Sequence, residues 1–100
     1  MLYTFELIDC PIFQLDVVET GWIGNVKVFY SLNKHGKITE EKSFECDFLY
    51  RYENDDGSYN SAFGYNPDFI KACSGKFHFQ YYVEGNGPYT TAEDYFQIFQ

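Results

Sequence analysis

The chain has 100 residues, a formal net charge of −8 and 22% aromatic residues. This length fits a single domain, residues 1–100, with one hydrophobic core. The acidic balance argues against direct contact with a nucleic-acid backbone or an anionic membrane surface, because both attract clustered Lys and Arg. It favours a protein partner with a basic surface, and good solubility is the plain alternative.

The cysteine content and the first residues predict a cytoplasmic protein. Cys10, Cys46 and Cys73 are too few and too widely spaced for a disulfide framework. Met1 leads into a strand-like segment without the basic and apolar regions of a signal peptide, so we expect none. No apolar run approaches the roughly 20 residues of a membrane-spanning helix. From these features we expect a cytoplasmic protein whose cysteines are reduced.

Alternating apolar and polar residues predict three strands in the first third of the chain. The first covers about residues 2–8 and ends at Asp9-Cys10-Pro11. The second covers 13–17, and the third covers 26–32 after the turn around Gly21. Asn, Gly and Lys residues follow the third strand and indicate another turn.

The fourth predicted strand has the most regular two-faced pattern, with acidic residues and Arg51 alternating with an aromatic row. The row consists of Phe44, Cys46, Phe48, Tyr50 and Tyr52. Antiparallel sheets with one solvated face show this kind of alternation. We therefore expect the aromatic row to face the core.

A short helix is predicted near residues 67–74. Asn66 can cap its start, and Pro67 suits the first helical position. Gly75 is a suitable stop. The strand over residues 76–83 follows, with Phe77 and Phe79 on its apolar side.

The last segment, residues 92–99, is compatible with two structures. Thr91 and Asp94 resemble a capping box and would start a helix. Tyr95 to Phe99 have strong strand propensity, and the preceding Gly-rich turn favours a hairpin with residues 76–83. We favour the strand. Six short strands separated by turns then predict a mostly all-β chain, either an antiparallel β-sandwich or a small barrel.

Two stretches resemble the starch- and glycogen-binding carbohydrate-binding modules. Residues 15–33, which contain Val-Lys-Val-Phe-Tyr-Ser before Asn33, are similar to the early strand pair of that family. Residues 76–85, with Tyr89 beyond them, are similar to its late hairpin. The resemblance covers about a third of the chain and implies an immunoglobulin-like β-sandwich. The sugar-binding Trp motifs of the family are absent.

No pattern in the sequence predicts an enzyme, a cofactor or a metal site. Phosphate loops, nucleophile elbows and zinc-protease motifs are missing. Residues 53–57 begin like a calcium-binding loop, but Phe63 and Gly64 stand where the closing Glu is required. A solvated turn is the better interpretation of this segment.

The main functional hypothesis is a small non-enzymatic protein that binds and inhibits a larger basic intracellular protein. Phage-encoded inhibitors of host defence and toxin-immunity proteins exemplify this class. Acidic residues speed the encounter with a basic surface, and tyrosines supply rigid contact area. The predicted contact residues are Glu53, Asp55, Asp56, Tyr59, Tyr89, Glu93 and Asp94.

The alternative hypothesis is an α-glucan-binding module. In it, aromatic side chains outside the predicted core rows stack on sugar rings. These residues are Trp22, Tyr59, Tyr65 and Tyr89. An exposed edge strand could also pair two chains into a homodimer.

Overall fold

The computed structural model describes residues 2–8, 12–34, 36–65 and 74–97, and the statements below concern these residues. Within them the chain is all-β, with ten strands and no helix. The strands are β1 (Leu2–Ile8), β2 (Ile12–Glu19), β3 (Ile23–Lys34), β4 (Lys37–Ile38), β5 (Lys42–Glu45), β6 (Asp47–Glu53), β7 (Tyr59–Tyr65), β8 (Ser74–Val83), β9 (Asn86–Thr90) and β10 (Asp94–Gln97).

The strands form two antiparallel sheets. The first sheet has the order β1-β2-β7-β6. In the second sheet, β3 and β8 pair at the centre over most of their length. The interrupted edge strands β9 and β10 lie beside β8, and β4 and β5 lie beside β3.

Apolar side chains from both sheets form one core. Leu15 and Val17 of β2 enter it from the first sheet, and Val28 of β3 enters it from the second. Phe77 and Phe79 of β8 are 1% and 0% exposed. The sequence-based prediction of a half-buried strand at 76–83 is therefore confirmed, and the strand begins at Ser74.

Strand structure is confirmed on both sides of Cys46, but the prediction of one continuous fourth strand is wrong, because the chain changes sheets at Cys46. β5 pairs with β3 in the second sheet, whereas β6 pairs with β7 in the first. Phe44 is buried, but Phe48, Tyr50 and Tyr52 are 54%, 46% and 51% exposed. Among the described strands, β6 lies at the edge of the first sheet and pairs with β7 alone, and this pairing has a bulge between Phe48 and Tyr50. The aromatic row therefore does not face the core beyond Cys46.

The end of the chain agrees with the strand prediction. β10 occupies Asp94–Gln97 and pairs with the first residues of β8. β9 was not predicted, because Gly87 and Pro88 in it were interpreted as turn residues. The predicted helix at 67–74 lies outside the described residues except for Ser74, which belongs to β8.

Candidate functional site

Three strand connections meet at one end of the two sheets. They join β2 to β3, β6 to β7, and β8 to β9. The register brings them together, because Glu19 lies opposite Tyr59 and Ile23 lies opposite Val83. This end is called the loop end below and comprises residues 19–22, 53–59 and 84–85.

The loop end is strongly acidic. It carries five carboxylates and no Lys or Arg. The carboxylates are those of Glu19, Glu53, Asp55, Asp56 and Glu84. Glu53, Asp55 and Asp56 belong to the predicted contact set. Glu19 and Glu84 were not in the predicted contact set, because only strand pairing brings them to this end. The turn composition of Glu84-Gly85 was the feature of the sequence that could have placed Glu84 in a loop.

Two of the connections are bonded to each other through Trp22 and Glu84. The Trp22 backbone N–H donates to Glu84 Oε1 at 2.9 Å, and the Glu84 backbone N–H donates to the Trp22 carbonyl at 2.8 Å. Glu84 and Gly85 have φ angles of 49° and 80°, as a two-residue hairpin between Val83 and Asn86 requires. The acidic side chain at this turn is thus held in a defined position.

The β6–β7 turn is also held by its own hydrogen bonds. The Asn54 N–H donates to the Ser58 carbonyl at 2.7 Å, and the Gly57 N–H donates to the Asn54 carbonyl at 3.0 Å. Asp56 Oδ1 accepts from Ser58 Oγ at 2.6 Å and from the Ser58 N–H at 2.9 Å. These two hydrogen bonds lower the pKa of the Asp56 carboxyl. The turn therefore presents its acidic groups from an ordered backbone.

An aromatic cluster lies beside the acidic residues. Trp22 is 53% exposed, and its ring meets the Tyr59 ring edge-on at 6.2 Å. The Arg51 guanidinium lies 5.0 Å from the Trp22 ring centre and 4.9 Å from that of Phe48. Arg51 also donates to Ser61 Oγ at 2.9 Å. Arg51 thus makes cation–π contacts with the rings of both Trp22 and Phe48.

Tyr89 reaches the same end from the second sheet. Its ring stacks on Tyr81 with 5.6 Å between the centres. The pKa of Tyr81 is raised, first by burial and then by the charge of Glu19 and by Tyr89. Tyr89 therefore stacks on the tyrosine whose pKa responds to the Glu19 charge.

Glu93 and Asp94 are placed away from the loop end. Asp94 lies opposite Phe77, six residues before Val83 on β8, which corresponds to roughly 20 Å along a strand. Glu93 lies 3.5 Å from Lys76 Nζ, and Asp94 accepts a hydrogen bond from Tyr3 at 3.2 Å. The structure thus separates these two acids from Glu53, Asp55 and Asp56.

The four predicted sugar-stacking residues do not share one surface patch. Trp22 and Tyr59 are in contact, and Tyr89 lies on β9 in the other sheet. Tyr65 is at the opposite end of β7 from Tyr59, which is roughly 20 Å along a strand. The Tyr65 side chain lies outside the described part of the structure.

A groove of about 890 Å³ runs from the loop end along the side of the sheets. Its lining includes Trp22, Arg51, Gln80 and Tyr82. Cys46 also lines it, but burial, with a smaller contribution from the adjacent Asp47, raises the pKa of its thiol to about 12. A neutral thiol is a poor nucleophile, so the groove is better suited to binding than to covalent chemistry at Cys46.

The described residues show neither a cluster of metal ligands nor a membrane-spanning helix. No group of three or more His, Cys, Asp or Glu side chains there is placed to hold a metal ion. The same part of the chain contains no helix with the length and apolar character needed to cross a bilayer.

Comparison with known proteins returns no match for this chain, whether with family models, curated proteins or solved structures. The resemblance to starch- and glycogen-binding modules therefore stays a prediction.

Proposed function

We propose that the protein is a small, non-enzymatic cytoplasmic binder whose loop end binds and inhibits a larger protein with a basic surface. Phage anti-defence inhibitors and toxin-immunity proteins are the functional types that this proposal resembles. The observation that carries it is the convergence of five carboxylates and the exposed Trp22 from three separate connections. The surface combines acidic attraction with an aromatic anchor, as protein-binding sites do.

The turns of the loop end are fixed by hydrogen bonds, so they lose little conformational entropy when a partner binds. Trp22 and Glu84 hold two connections together, and Asp56 and Ser58 hold the third. A preorganised surface loses less conformational entropy when a partner binds. The acidic groups of the loop end are thus displayed at fixed positions before the encounter.

We also propose an immunoglobulin-like arrangement of the two sheets. The strand orders that support it are β1-β2-β7-β6 and β9/β10-β8-β3-β4/β5. They correspond to the ABED and GFC orders of immunoglobulin domains, with the added edge beside C. In that correspondence the loop end contains the B–C, D–E and F–G connections. Immunoglobulin variable domains also bind ligands with loops at one end, so the arrangement suits a binding protein.

Affinity capture with two matched double variants tests the proposed function. Glu53→Lys/Asp55→Lys and Glu40→Lys/Glu41→Lys both change the net charge from −8 to −4. Glu40 and Glu41 are exposed and lie between β4 and β5, beside the far half of β3. We expect a basic protein to be retained by the wild type and by the Glu40/Glu41 variant, and to be lost from the Glu53/Asp55 variant.

The retained protein is identified by mass spectrometry, and its activity is then measured with and without the wild-type chain. Equal retention by both double variants would contradict the assignment to the loop end. Retention without any change in the partner's activity would contradict inhibition.

Binding of an α-glucan is the second candidate function. It is supported by the half-exposed Trp22 ring, which lies in the groove with the amide side chains of Asn25 and Gln80. Apolar sugar faces stack on such rings, and amides bond hydroxyl groups. Electrophoresis in a glycogen-containing gel tests this function. Retardation that is lost in Trp22→Ala would support it, and migration equal to that in a glycogen-free gel would exclude it.

A further inference from the structure

The edges of the two sheets differ in their protection against pairing with another strand. On the second sheet, β4 has two residues and β5 has four, and β9 contains Pro88, which cannot donate a ladder hydrogen bond. β6 presents seven consecutive edge residues, Asp47–Glu53. Among the edges whose side chains the structure describes throughout, β6 is the longest.

The side chains of β6 offer apolar contact to an added strand. Phe48, Leu49, Tyr50 and Tyr52 are each about half exposed. The Tyr50 and Tyr52 rings are nearly parallel, at 9°, with 6.2 Å between their centres. A strand added beside β6 would place its own side chains next to these rings, and aromatic pairs across two strands stabilise their pairing. An exposed apolar edge strand is ordinarily a pairing site unless it is blocked.

The bulge leaves part of β6 regular. It lies between Phe48 and Tyr50, and the ladder to β7 is continuous from Tyr50 to Glu53. Charged side chains often block the pairing of edge strands. The Arg51 side chain instead donates hydrogen bonds to Ser61 Oγ and the Ile23 carbonyl. The Arg51 side chain therefore does not cover the outer edge of β6 from Tyr50 to Glu53.

The charges at the ends of β6 indicate the nature of the added strand. Asp47 and Glu53 are its first and last residues, and Asp55 follows two residues after its end. An antiparallel copy of β6 centred on Tyr50 would place Asp47 opposite Glu53 twice. Like charges directly opposite each other destabilise a strand pair. A second copy of this chain is thus a poor occupant, and a segment with basic ends is complementary.

We propose that β6 receives an extended segment of the partner protein, with Lys or Arg at both ends and apolar or aromatic residues between them. The segment adds a strand to the first sheet, and its basic end lies against the carboxylates of Glu53 and Asp55. Main-chain hydrogen bonds supply affinity in this recognition mode, and alternate side chains supply specificity. The inference rests on the proposed function and names the segment of the partner that the acidic surface recognises.

A synthetic nine-residue peptide provides the probe: two lysines at each end of a Val-Thr-Val-Tyr-Val centre. Its binding to the full ¹⁵N-labelled chain is followed by NMR. We expect the amides of residues 47–53 to shift and their hydrogen exchange to slow. A version N-methylated at alternate residues keeps the charges but cannot form the ladder, so we expect its binding to be about tenfold weaker or more.

The variants separate strand pairing from simple charge attraction. Glu53→Lys/Asp55→Lys should weaken peptide binding, and Glu40→Lys/Glu41→Lys, with the same net charge, should not. If the N-methylated peptide binds equally well while the Glu53/Asp55 variant still loses binding, strand pairing is excluded and the acidic loop end is retained as the site.

Three further results would overturn the inference: no binding of the lysine peptide, shifts confined to residues outside 47–53, or a dimer of the free chain whose contact is β6. The capture experiment with the whole partner protein does not depend on the peptide. It therefore decides the proposed function independently of these results.

Discussion

Arg51 joins the two sheets through one side chain. Its guanidinium donates to Ser61 in the first sheet and to the Ile23 carbonyl in the second, and it lies between the Trp22 and Phe48 rings. Lys keeps the charge but cannot reproduce the planar fork or the stacking. We predict that Arg51→Lys lowers the free energy of unfolding by about 1–3 kcal/mol, measured by urea denaturation.

Lys37→Arg is the control for this prediction, because Lys37 is exposed on the short strand β4. This reverse exchange should leave the urea midpoint unchanged. The fluorescence of Trp22, the single tryptophan, should change in Arg51→Lys and not in the control. An unaltered midpoint in Arg51→Lys would show that the stacked geometry contributes nothing to stability.

Asp56 gives the β6–β7 turn a predictable response to acid. Hydrogen bonds from the Ser58 hydroxyl and N–H lower the pKa of Asp56 below its usual value of 3.8. A carboxyl whose folded pKa is depressed stabilises the fold above its unfolded pKa, and this contribution is lost as pH falls through the folded pKa. In an NMR titration, Asp56 should therefore titrate below pH 3.8, and Ser58→Ala should shift its midpoint upward. Identical midpoints in the two proteins would contradict this account of the turn.

The packing of β8 against its neighbours depends on Gly75. A Cβ at Gly75 would collide with the Ser31 carbonyl and would lie 2.7 Å from Cζ of Phe96. The carbonyl belongs to the ladder and cannot move freely. We predict that Gly75→Ala destabilises the protein by about 1–3 kcal/mol in thermal or urea unfolding.

Gly24→Ala is the matched control for Gly75→Ala, because a Cβ at Gly24 meets nothing within 4 Å. Its effect should stay within about 1 kcal/mol, with either sign. Equal destabilisation by the two substitutions would mean that loss of glycine itself, rather than the collision, governs stability.

The elements also show how far the sequence could predict the fold. The alternation of β8 identifies its buried face correctly, because β8 lies at the centre of one sheet for its whole length. The same alternation continues from Phe44 to Tyr52 while the chain passes from one sheet to the other at Cys46. Alternation reports the side of a strand and carries no information about its sheet or its exposure at an edge. The exposed aromatics of β6 could therefore not be recognised.

The candidate site was predictable only where its residues are close in sequence. Glu53, Asp55 and Asp56 share one turn, so their acidic patch is visible in the sequence. Glu84 joins them through the hydrogen bonds with Trp22, 62 positions away in the chain. Contacts at that separation depend on strand order, which local composition does not determine.

The excess of acidic over basic residues is unevenly distributed over the molecule. Five of the 15 acidic residues lie in the loop end, which has no Lys or Arg. The rest of the chain carries the other ten acidic residues together with all seven Lys and Arg residues, so its charge is more nearly balanced. A molecule with this polarity orients a basic partner during approach. The rate of association should accordingly fall with added salt more steeply for the wild type than for Glu53→Lys/Asp55→Lys.

The two sheets are also joined away from the loop end, by Tyr3 of β1 and Asp94 of β10. The Tyr3 hydroxyl donates to Asp94 Oδ2 at 3.2 Å, and its ring packs edge-on against Phe79 at 5.0 Å. Burial, followed by the charge and hydrogen bond of Asp94, raises the pKa of Tyr3 above 10.0. A phenol with a raised folded pKa stabilises the fold below its unfolded pKa, and the contribution disappears as pH rises through the folded pKa.

We therefore predict that wild-type stability falls as pH rises above 10, and that it falls less in Tyr3→Phe, which has no group to titrate at this position. At neutral pH, Tyr3→Phe should lose about 1 kcal/mol, because the hydrogen bond to Asp94 is removed. Tyr95→Phe is the control, since Tyr95 is mostly exposed and should follow the wild type. Urea unfolding at pH 7, 10 and 11.5 measures both effects. If the wild type and Tyr3→Phe lose stability equally as pH rises, titration of Tyr3 does not contribute to the pH dependence of unfolding.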